Sequence, residues 1–257
     1  MFLAAVFKLI THLRKGYGVI FLPFGLVLKH DDIRGADEGE TVKFIAKHTT
    51  IPVPRVLVVT RGFGCTYFLM RRARGSSLAW EWDSLDHDRR AKIVAQLRSI
   101  VEQLRALPSP QPNSRSICGL GGAACKDPRV SSAITFGPFE DEGAFNDRLI
   151  EAALPFMDEG KLPGIRARMS DSHRIVFTHG DLAPRNIIVE GDTVVAVIDW
   201  EFAGWYPEHW ELIKARYSPM IRDRASWLQA SRDFIPSDYE YEWNLDRELS
   251  SHMVGAF

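Results

Sequence analysis

The segment 175–210 constrains the fold most, because short apolar runs alternate in it with polar loops rich in carboxylates. Its sequence is IVFTHGDLAPRNIIVEGDTVVAVIDWEFAGWYPEHW. The apolar runs Ile187–Val189 and Val194–Ile198 flank a turn at residues 190–192, and this pattern predicts a β-hairpin. The second strand of that hairpin leads directly into Asp199.

Three polar side chains are expected to meet at one end of this hairpin. Asp181 and Asn186 lie in the loop that precedes it, and Asp199 follows it. Because a hairpin folds the chain back on itself, both segments reach the same end. Carboxylate and amide oxygens are ligands that suit Mg²⁺, and a carboxylate can also accept a proton.

The spacing His-x-Asp-x-x-x-x-Asn, followed by an Asp after a strand, is typical of a phosphoryl-transfer site. In such a site the loop Asp accepts the proton of the attacking hydroxyl, while the Asn and the second Asp hold Mg²⁺. We therefore assign Asp181 and His179 as catalytic candidates, with His179 bracing the loop. Asn186 and Asp199 are the candidate metal ligands. Arg185 either neutralises charge or faces solvent.

These segments resemble a known family. FTHGDLAPRNIIV and VIDWEFAGWYPEHWE look like the aminoglycoside phosphotransferase-like, or protein-kinase-like, family, in particular its fungal members of undefined substrate. The resemblance extends upstream through TTIPVPRVL, TYFLMRRARGSSL and LRALPSP and covers residues 25–250. It implies an α+β, two-lobed fold that uses ATP and Mg²⁺ to phosphorylate a hydroxyl of a small molecule. We expect a β-rich N-lobe over residues 1–72 and a mainly helical C-lobe over 73–257.

The resemblance also implies a lysine and a glutamate that orient the nucleotide phosphates. Residues 16–30 are typical of two short strands around a turn, and Lys29 lies near the end of the second. Residues 37–48 predict the next helix. Glu38 on this helix matches the family's partner of the lysine, and Glu40 is the alternative.

The adenine site follows from the same resemblance. It makes residues 71–73 the hinge, so the backbone groups of Arg71 and Ala73 are nucleotide-binding candidates. Met70 lies either beside the base or in the ordinary core. The phosphate loop is weakly marked, because residues 16–18 form a lone Gly-x-Gly. A kinase-like scaffold that binds a nucleotide or a partner without turnover is therefore the alternative function.

Periodicity and punctuation predict the remaining elements. Strands are expected over residues 51–59 and 66–70, and a long loop across the active-site face over 109–143. Helices are expected over 84–107, 145–157, 166–173 and 208–217, with one or two more after residue 231. Glu208 and Glu211 either contact substrate or lie on a solvated or capping face.

Composition excludes little but is consistent with an enzyme of the cytoplasm. With 32 basic and 33 acidic residues the net charge is −1, so no global field favours nucleic acid. The 3 cysteines are widely spaced, which favours a reducing compartment. The N-terminal residues 1–10 lack a basic region, and Lys8 interrupts them, so we predict neither a signal peptide nor a membrane partner. The sequence leaves the oligomeric state open.

Overall fold

The computed structural model describes residues 18–32, 37–62, 64–109, 115–127, 129–130, 135–217 and 219–250. Its N-terminal part is a four-stranded antiparallel sheet with the strand order β1-β2-β4-β3. The strands are β1 (Val19–Leu22), β2 (Leu26–Asp32), β3 (Val56–Gly62) and β4 (Cys65–Arg71). The turn between the first two strands, Pro23–Gly25, is the predicted one.

Helix α1 (Glu38–His48) connects β2 to β3 and packs on the sheet, which confirms the helix predicted over 37–48. The Asp37 side chain caps its start by accepting a hydrogen bond from the Glu40 amide at 3.2 Å. Val42 and Ile45 are buried, as expected for one apolar face of an amphipathic helix. The first turn of α1 therefore lies against the sheet, beside the strand that carries the candidate lysine.

The C-terminal part is mainly helical and carries two small sheets. Its helices are α2 (Leu78–Glu81), α3 (His87–Arg105), α4 (Glu142–Ala153), α5 (Leu162–Arg166), α6 (Trp210–Arg216), α7 (Arg224–Phe234) and α8 (Glu240–Ser250). The sheet β5-β8-β9 contains β5 (Ser76–Ser77) and the predicted hairpin β8 (Ile187–Glu190) and β9 (Thr193–Val197). The sheet β6-β10-β7 contains β6 (Cys118–Gly119), β7 (Ile175–Thr178) and β10 (Gly204–Pro207).

The helix predicted over 166–173 is wrong. Helix α5 already ends at Arg166, and the following residues form turns. Ser and Asp side chains compete with helical hydrogen bonds there, because the Ser170 hydroxyl accepts a hydrogen bond from the Ser172 amide at 3.3 Å. The Ser170 carbonyl in turn accepts from the Asn146 side chain at 2.8 Å.

Other boundaries shift because of local capping. Helix α3 begins at His87 rather than Ser84, since residues 82–84 form a 3-10 turn and Asp86 caps the helix. Asp141 likewise caps α4, which begins before the predicted residue 145. The predicted loop 109–143 contributes strand β6 to a sheet, so its described parts are more ordered than expected.

One continuous apolar core joins the helices of the C-terminal part with α1. Four tryptophans are among its largest fully buried side chains, namely Trp82, Trp200, Trp210 and Trp227. Aromatic side chains as large as these contribute much of the buried area of a core. Within the described ranges no helix combines the length and apolarity needed to cross a bilayer.

Candidate active site

Lys29 lies where the two parts of the chain meet, and it pairs with two carboxylates. Its Nζ is 2.6 Å from Glu38 Oε2 on α1 and also forms an ion pair with Asp199, which follows β9. Burial by itself would lower the pKa of Lys29, but the two carboxylates outweigh burial and raise that pKa above its ordinary value. The structure thus brings together one residue from each of three separate segments.

Glu38, not the alternative Glu40, is the residue that meets the lysine. Glu40 instead pairs with Lys43 at 3.0 Å, and both of these side chains are partly exposed. Glu38 is buried, and its second oxygen accepts a hydrogen bond from the Trp200 amide at 3.3 Å. Glu38 therefore connects the N-terminal sheet to the residue that directly follows Asp199.

Asp199 has a backbone conformation that side chains seldom adopt. Its φ of +67° lies in the left-handed region, which Asp tolerates better than most residues. The side chain is 33% exposed, unlike the other carboxylates of the site. Its position after the hairpin is the one predicted.

Asp181 and Asn186 form a closed pair in the loop between β7 and β8. The Asn186 Nδ2 donates to Asp181 Oδ2 at 2.6 Å and to the Asp181 carbonyl at 2.9 Å. Arg185 forms an ion pair with the other oxygen of Asp181, so it neutralises charge in this loop. Burial raises the pKa of Asp181, and the Arg185 guanidinium opposes that rise.

His179 braces the same loop through both of its ring nitrogens. Its Nδ1 accepts a hydrogen bond from the Asp181 amide at 3.1 Å, and its Nε2 lies 3.1 Å from the Ile198 carbonyl. Burial lowers the pKa of His179 to about 4, so the ring is neutral near pH 7. The side chain is fully buried. It positions Asp181 against the segment before Asp199 and is not placed to contact substrate directly.

Glu211 on α6 contacts this loop, and the sequence did not determine its place. It is buried and accepts hydrogen bonds from the amides of His179 at 2.7 Å and Gly180 at 3.3 Å. The two alternatives for Glu211 were contact with substrate and a capping role, and its hydrogen bonds fit the capping role. The backbone that it caps belongs to the loop of Asp181 and not to a helix. Burial raises the pKa of Glu211 to about 7, and the two amides oppose the rise.

The backbone at Gly180 lies so close to a neighbouring carbonyl that there is no room for a side chain. Its φ is +76°, and a Cβ at this position would lie 2.5 Å from the Phe202 carbonyl oxygen. A contact that short forces the backbone to move. Three contacts thus hold the HGD triplet in place. They are the hydrogen bonds of buried His179, the close approach that Gly180 allows and the pairing of Asp181 with Asn186.

The candidate adenine hinge is only partly free to bind. The Arg71 amide donates to the Arg55 carbonyl at 2.9 Å, and the Arg72 amide donates to the Gly25 carbonyl at 2.8 Å. Among the described residues, the amide of Ala73 has no such backbone partner. Met70 is half-buried on β4 and still fits either of its two interpretations. Residues 16 and 17 of the candidate phosphate loop lie outside the described residues.

The chemistry of the donors suits a hard divalent cation. Because Nδ2 of Asn186 is engaged with Asp181, its amide oxygen is left as a ligand, and Asp199 supplies a partly exposed carboxylate. Oxygen donors with one or two carboxylates are what Mg²⁺ prefers beside phosphates. The four residues Lys29, Asp181, Asn186 and Asp199 therefore combine a cation, a proton acceptor and two oxygen ligands.

Comparisons with known proteins agree with this geometry. The model of the phosphotransferase enzyme family matches residues 25–235. Comparison with curated proteins gives no match. Among solved structures, an aminoglycoside-3'-phosphotransferase of type VIII is 16% identical with a TM-score of 0.56, covering 94% of this chain and 96% of the other.

Two further solved structures are similar. Aminoglycoside phosphotransferase APH(4)-Ia is 15% identical with a TM-score of 0.58, covering 97% of this chain and 91% of its own. APH(3'')-Id from Streptomyces rimosus, solved with ADP and streptomycin, is 16% identical with a TM-score of 0.55. The match covers 95% of this chain and 96% of the other. These likenesses confirm the predicted α+β, protein-kinase-like fold.

Proposed function

Since the chain belongs to the phosphotransferase enzyme family, we propose that it transfers the γ-phosphoryl group of ATP to a hydroxyl of a small molecule. The observation that supports this most is the meeting of Lys29, Glu38 and Asp199 beside the loop that carries Asp181. Phosphoryl transfer depends mainly on positioning the reactants and on stabilising charge. A cluster of this kind can do both. Because Asp199 lies 170 residues after Lys29 in the sequence, a purely local structural role does not explain their convergence.

Each residue of the cluster has a distinct role in this proposal. Lys29 holds the nucleotide phosphates, and Glu38 orients Lys29 through their ion pair. Asn186 and Asp199 are the residues that would hold Mg²⁺. When bound, Mg²⁺ neutralises the charge that develops on the phosphate oxygens. The backbone of the hinge from Arg71 to Ala73 would receive the adenine, with the amide of Ala73 as a donor, and Met70 would lie beside the base.

Asp181 is the proposed proton acceptor for the attacking hydroxyl. Each carboxylate oxygen carries two lone pairs, so the contacts with Asn186 and Arg185 leave room for a third partner. The raised pKa of Asp181 makes it a better base than an exposed carboxylate. Neutral His179 keeps the backbone of Asp181 in place during transfer.

The acceptor is proposed only as a class. Two of the similar structures are complexes with ADP and either hygromycin B or streptomycin. For this chain we propose a small polar alcohol as substrate, in the cytoplasm, with neither nucleic acid nor membrane as a partner.

The test replaces Asp181 by Asn, which keeps the size of the side chain. ADP release is measured with Mg-ATP against a panel of small alcohols, and nucleotide binding is followed by thermal shift with and without Mg²⁺. We expect Asp181→Asn to lower turnover about 10²–10⁴-fold while the thermal shift with ATP persists. Asp192→Asn, in the exposed hairpin turn, is the matched control and should match the wild type.

The alternative, a scaffold without turnover, gives a different pattern. It predicts a thermal shift with ATP but no acceptor-dependent ADP release in the wild type. Loss of the Mg²⁺-dependent part of the shift in Asp199→Ala would support the assigned metal site. An Asp181→Asn variant that turns over like the wild type would contradict the proposal.

A further inference from the structure

A second cluster of polar side chains lies in the C-terminal part and is not used by the proposed reaction. It consists of Glu142 at the start of α4, His173 just before β7 and His209 just before α6. Each of the three side chains offers one possible metal-binding atom, and these three atoms all lie within 4.8 Å of one another. These residues come from three elements that are distant in sequence, so their meeting is a product of the tertiary fold.

Of the two distances between donor atoms, one is shorter and one is longer than the separation between two ligand atoms in a metal site. His173 Nδ1 lies 2.7 Å from Glu142 Oε1, and His209 Nδ1 lies 3.9 Å from the same oxygen. Two ligands bound at 2.0–2.1 Å in a tetrahedron are about 3.3 Å apart. Small movements of two side chains would therefore place all three atoms around one ion.

His209 provides an independent sign that the cluster is suited to a ligand. Its side chain is 8% exposed, and its buried Nδ1 has no hydrogen-bond partner among the described residues. A buried polar atom without a partner costs about 1–3 kcal/mol. That atom faces the Glu142 carboxylate from beyond hydrogen-bond distance, which is the arrangement expected when an ion sits between them.

We propose that Glu142, His173 and His209 form a binding site for a divalent transition metal of the Zn²⁺ class. Two imidazoles and one carboxylate are a donor set that Zn²⁺ commonly takes. A fourth position is available, because a cavity of about 30 Å³ beside the two histidines is also lined by Asn146 and Ser170. That volume is enough for one water.

The surroundings of the cluster supply the outer contacts that metal ligands usually have. Glu242 on α8 lies 3.5 Å from the Nε2 of His173, the ring atom that faces away from Glu142. A carboxylate at that atom fixes the ring orientation and the tautomer of a metal-bound histidine. The other oxygen of Glu142 accepts a hydrogen bond from the His173 amide at 2.8 Å, which fixes the carboxylate as well.

The proposed site joins the two segments that hold the catalytic loop. Strand β7 runs from beside His173 directly into His179, and α6 runs from beside His209 to Glu211, which accepts the loop amides. A metal that fixes the starts of both segments would stabilise the loop without touching substrate. The role is structural, and it does not depend on which acceptor the enzyme uses.

The experiment measures binding of Zn²⁺ to the full chain by calorimetry, with excess Mg²⁺ present so that the candidate active site does not compete. The absorption spectrum with Co²⁺ reports tetrahedral coordination. We expect one Zn²⁺ per chain and, in His209→Gln, affinity lowered more than tenfold. His87→Gln, on an exposed histidine, is the matched control and should bind like the wild type.

Several outcomes would overturn the proposal. The proposal would be wrong if the wild type bound no Zn²⁺. It would also be wrong if the His209→Gln variant bound Zn²⁺ as tightly as the wild type. Circular dichroism checks that each variant is folded. If His209→Gln does not fold, Glu242→Gln decides, because loss of this outer contact should lower affinity about 10–100-fold. Unchanged affinity in that variant would then reject the site. The Asp199→Ala variant should retain the bound Zn²⁺.

Discussion

Two groups of paired charges among the described residues are enclosed to different degrees. In the C-terminal part, Lys214 pairs with Asp127 at 2.8 Å and Arg129 pairs with Asp246 at 2.6 Å, with all four side chains at most 6% exposed. In the cleft, the place where the two parts of the chain meet, Lys29 pairs with two carboxylates, one of which is 33% exposed. The first arrangement is closed to solvent, whereas the second is open on one side.

The balance of charge differs as well. Each cation of the closed region has a carboxylate of its own, so these pairs need no further ion. Lys29 in the cleft is a single ammonium group that pairs with two carboxylates, and this excess negative charge favours the arrival of a cation. The comparison indicates that the closed pairs maintain the fold, while the cleft cluster is arranged for a ligand. Substitutions should therefore separate stability from activity.

The largest effect on stability is expected in the closed region, from Asp246→Asn. Removing this charge leaves the Arg129 guanidinium buried without its partner, which costs about 3–5 kcal/mol. Urea unfolding followed by tryptophan fluorescence measures the change. Turnover per folded molecule should stay close to that of the wild type.

Glu248→Gln on the same helix is the matched control. Glu248 pairs with Arg168 at the surface at 2.8 Å, where such a pair contributes about 0–1 kcal/mol. An Asp246→Asn variant as stable as this control would show that the closed pair does not maintain the fold.

A smaller effect, on activity rather than stability, is expected from Glu38→Gln in the cleft. The amide keeps the size of the side chain but loses the ion pair that orients Lys29. Asp199 still pairs with Lys29, so we expect turnover to fall about 10–100-fold, equal to roughly 1.4–2.7 kcal/mol of the barrier. Thermal unfolding should change little.

Glu40→Gln tests whether the position on α1 matters. Glu40 lies in the same helical turn but pairs with exposed Lys43, so its loss should leave turnover unchanged. Equal losses in the two variants would contradict the assignment of Glu38 and remove the distinction between the two regions.

Much of the candidate site could be predicted because its signals are local. The hairpin follows from two apolar runs around Glu190–Asp192, and the ends of a hairpin are close in any fold that contains one. Lys29 and Glu38 flank a short connection between β2 and α1, so the order of elements already limits where they meet. Their pairing was assigned from the family resemblance, and the geometry agrees with it.

Other features could not be predicted because they depend on contacts between distant segments. Strand β10 contains Gly204 and Pro207, residues that seldom mark a strand, and it forms only because β6 and β7 flank it. The buried position of Glu211 likewise depends on where α6 packs. His173 and His209 show no common motif, since nothing in the local sequence indicates that β7 and α6 begin side by side.

The smallest effect is expected from Glu240, whose environment lies between the two regions. It is 30% exposed, but it pairs with buried Arg216 at 2.5 Å and with exposed Arg232 at 2.8 Å. The hydrogen bonds from Arg216 and Arg232 lower the pKa of Glu240 from 4.5 to about 2. A carboxyl whose folded pKa is lowered stabilises the fold above its unfolded pKa, and this contribution is lost as the pH falls. Solvent screening limits it to about 1 kcal/mol or less.

Glu240→Gln should therefore be less stable than the wild type at pH 6, with a difference that shrinks between the unfolded pKa of 4.5 and the folded pKa of about 2. Urea unfolding at a series of pH values measures this, and Asp233→Asn, an exposed acid on α7, should show no such trend. A difference that is constant with pH would mean that the charge of Glu240 contributes nothing and that Arg216 is held by its other contacts, among them those with Ser231 and Leu228. A difference that shrinks would show that even a half-open ion pair with a buried arginine contributes to the fold, so that partial enclosure, and not complete burial, is enough for a structural role.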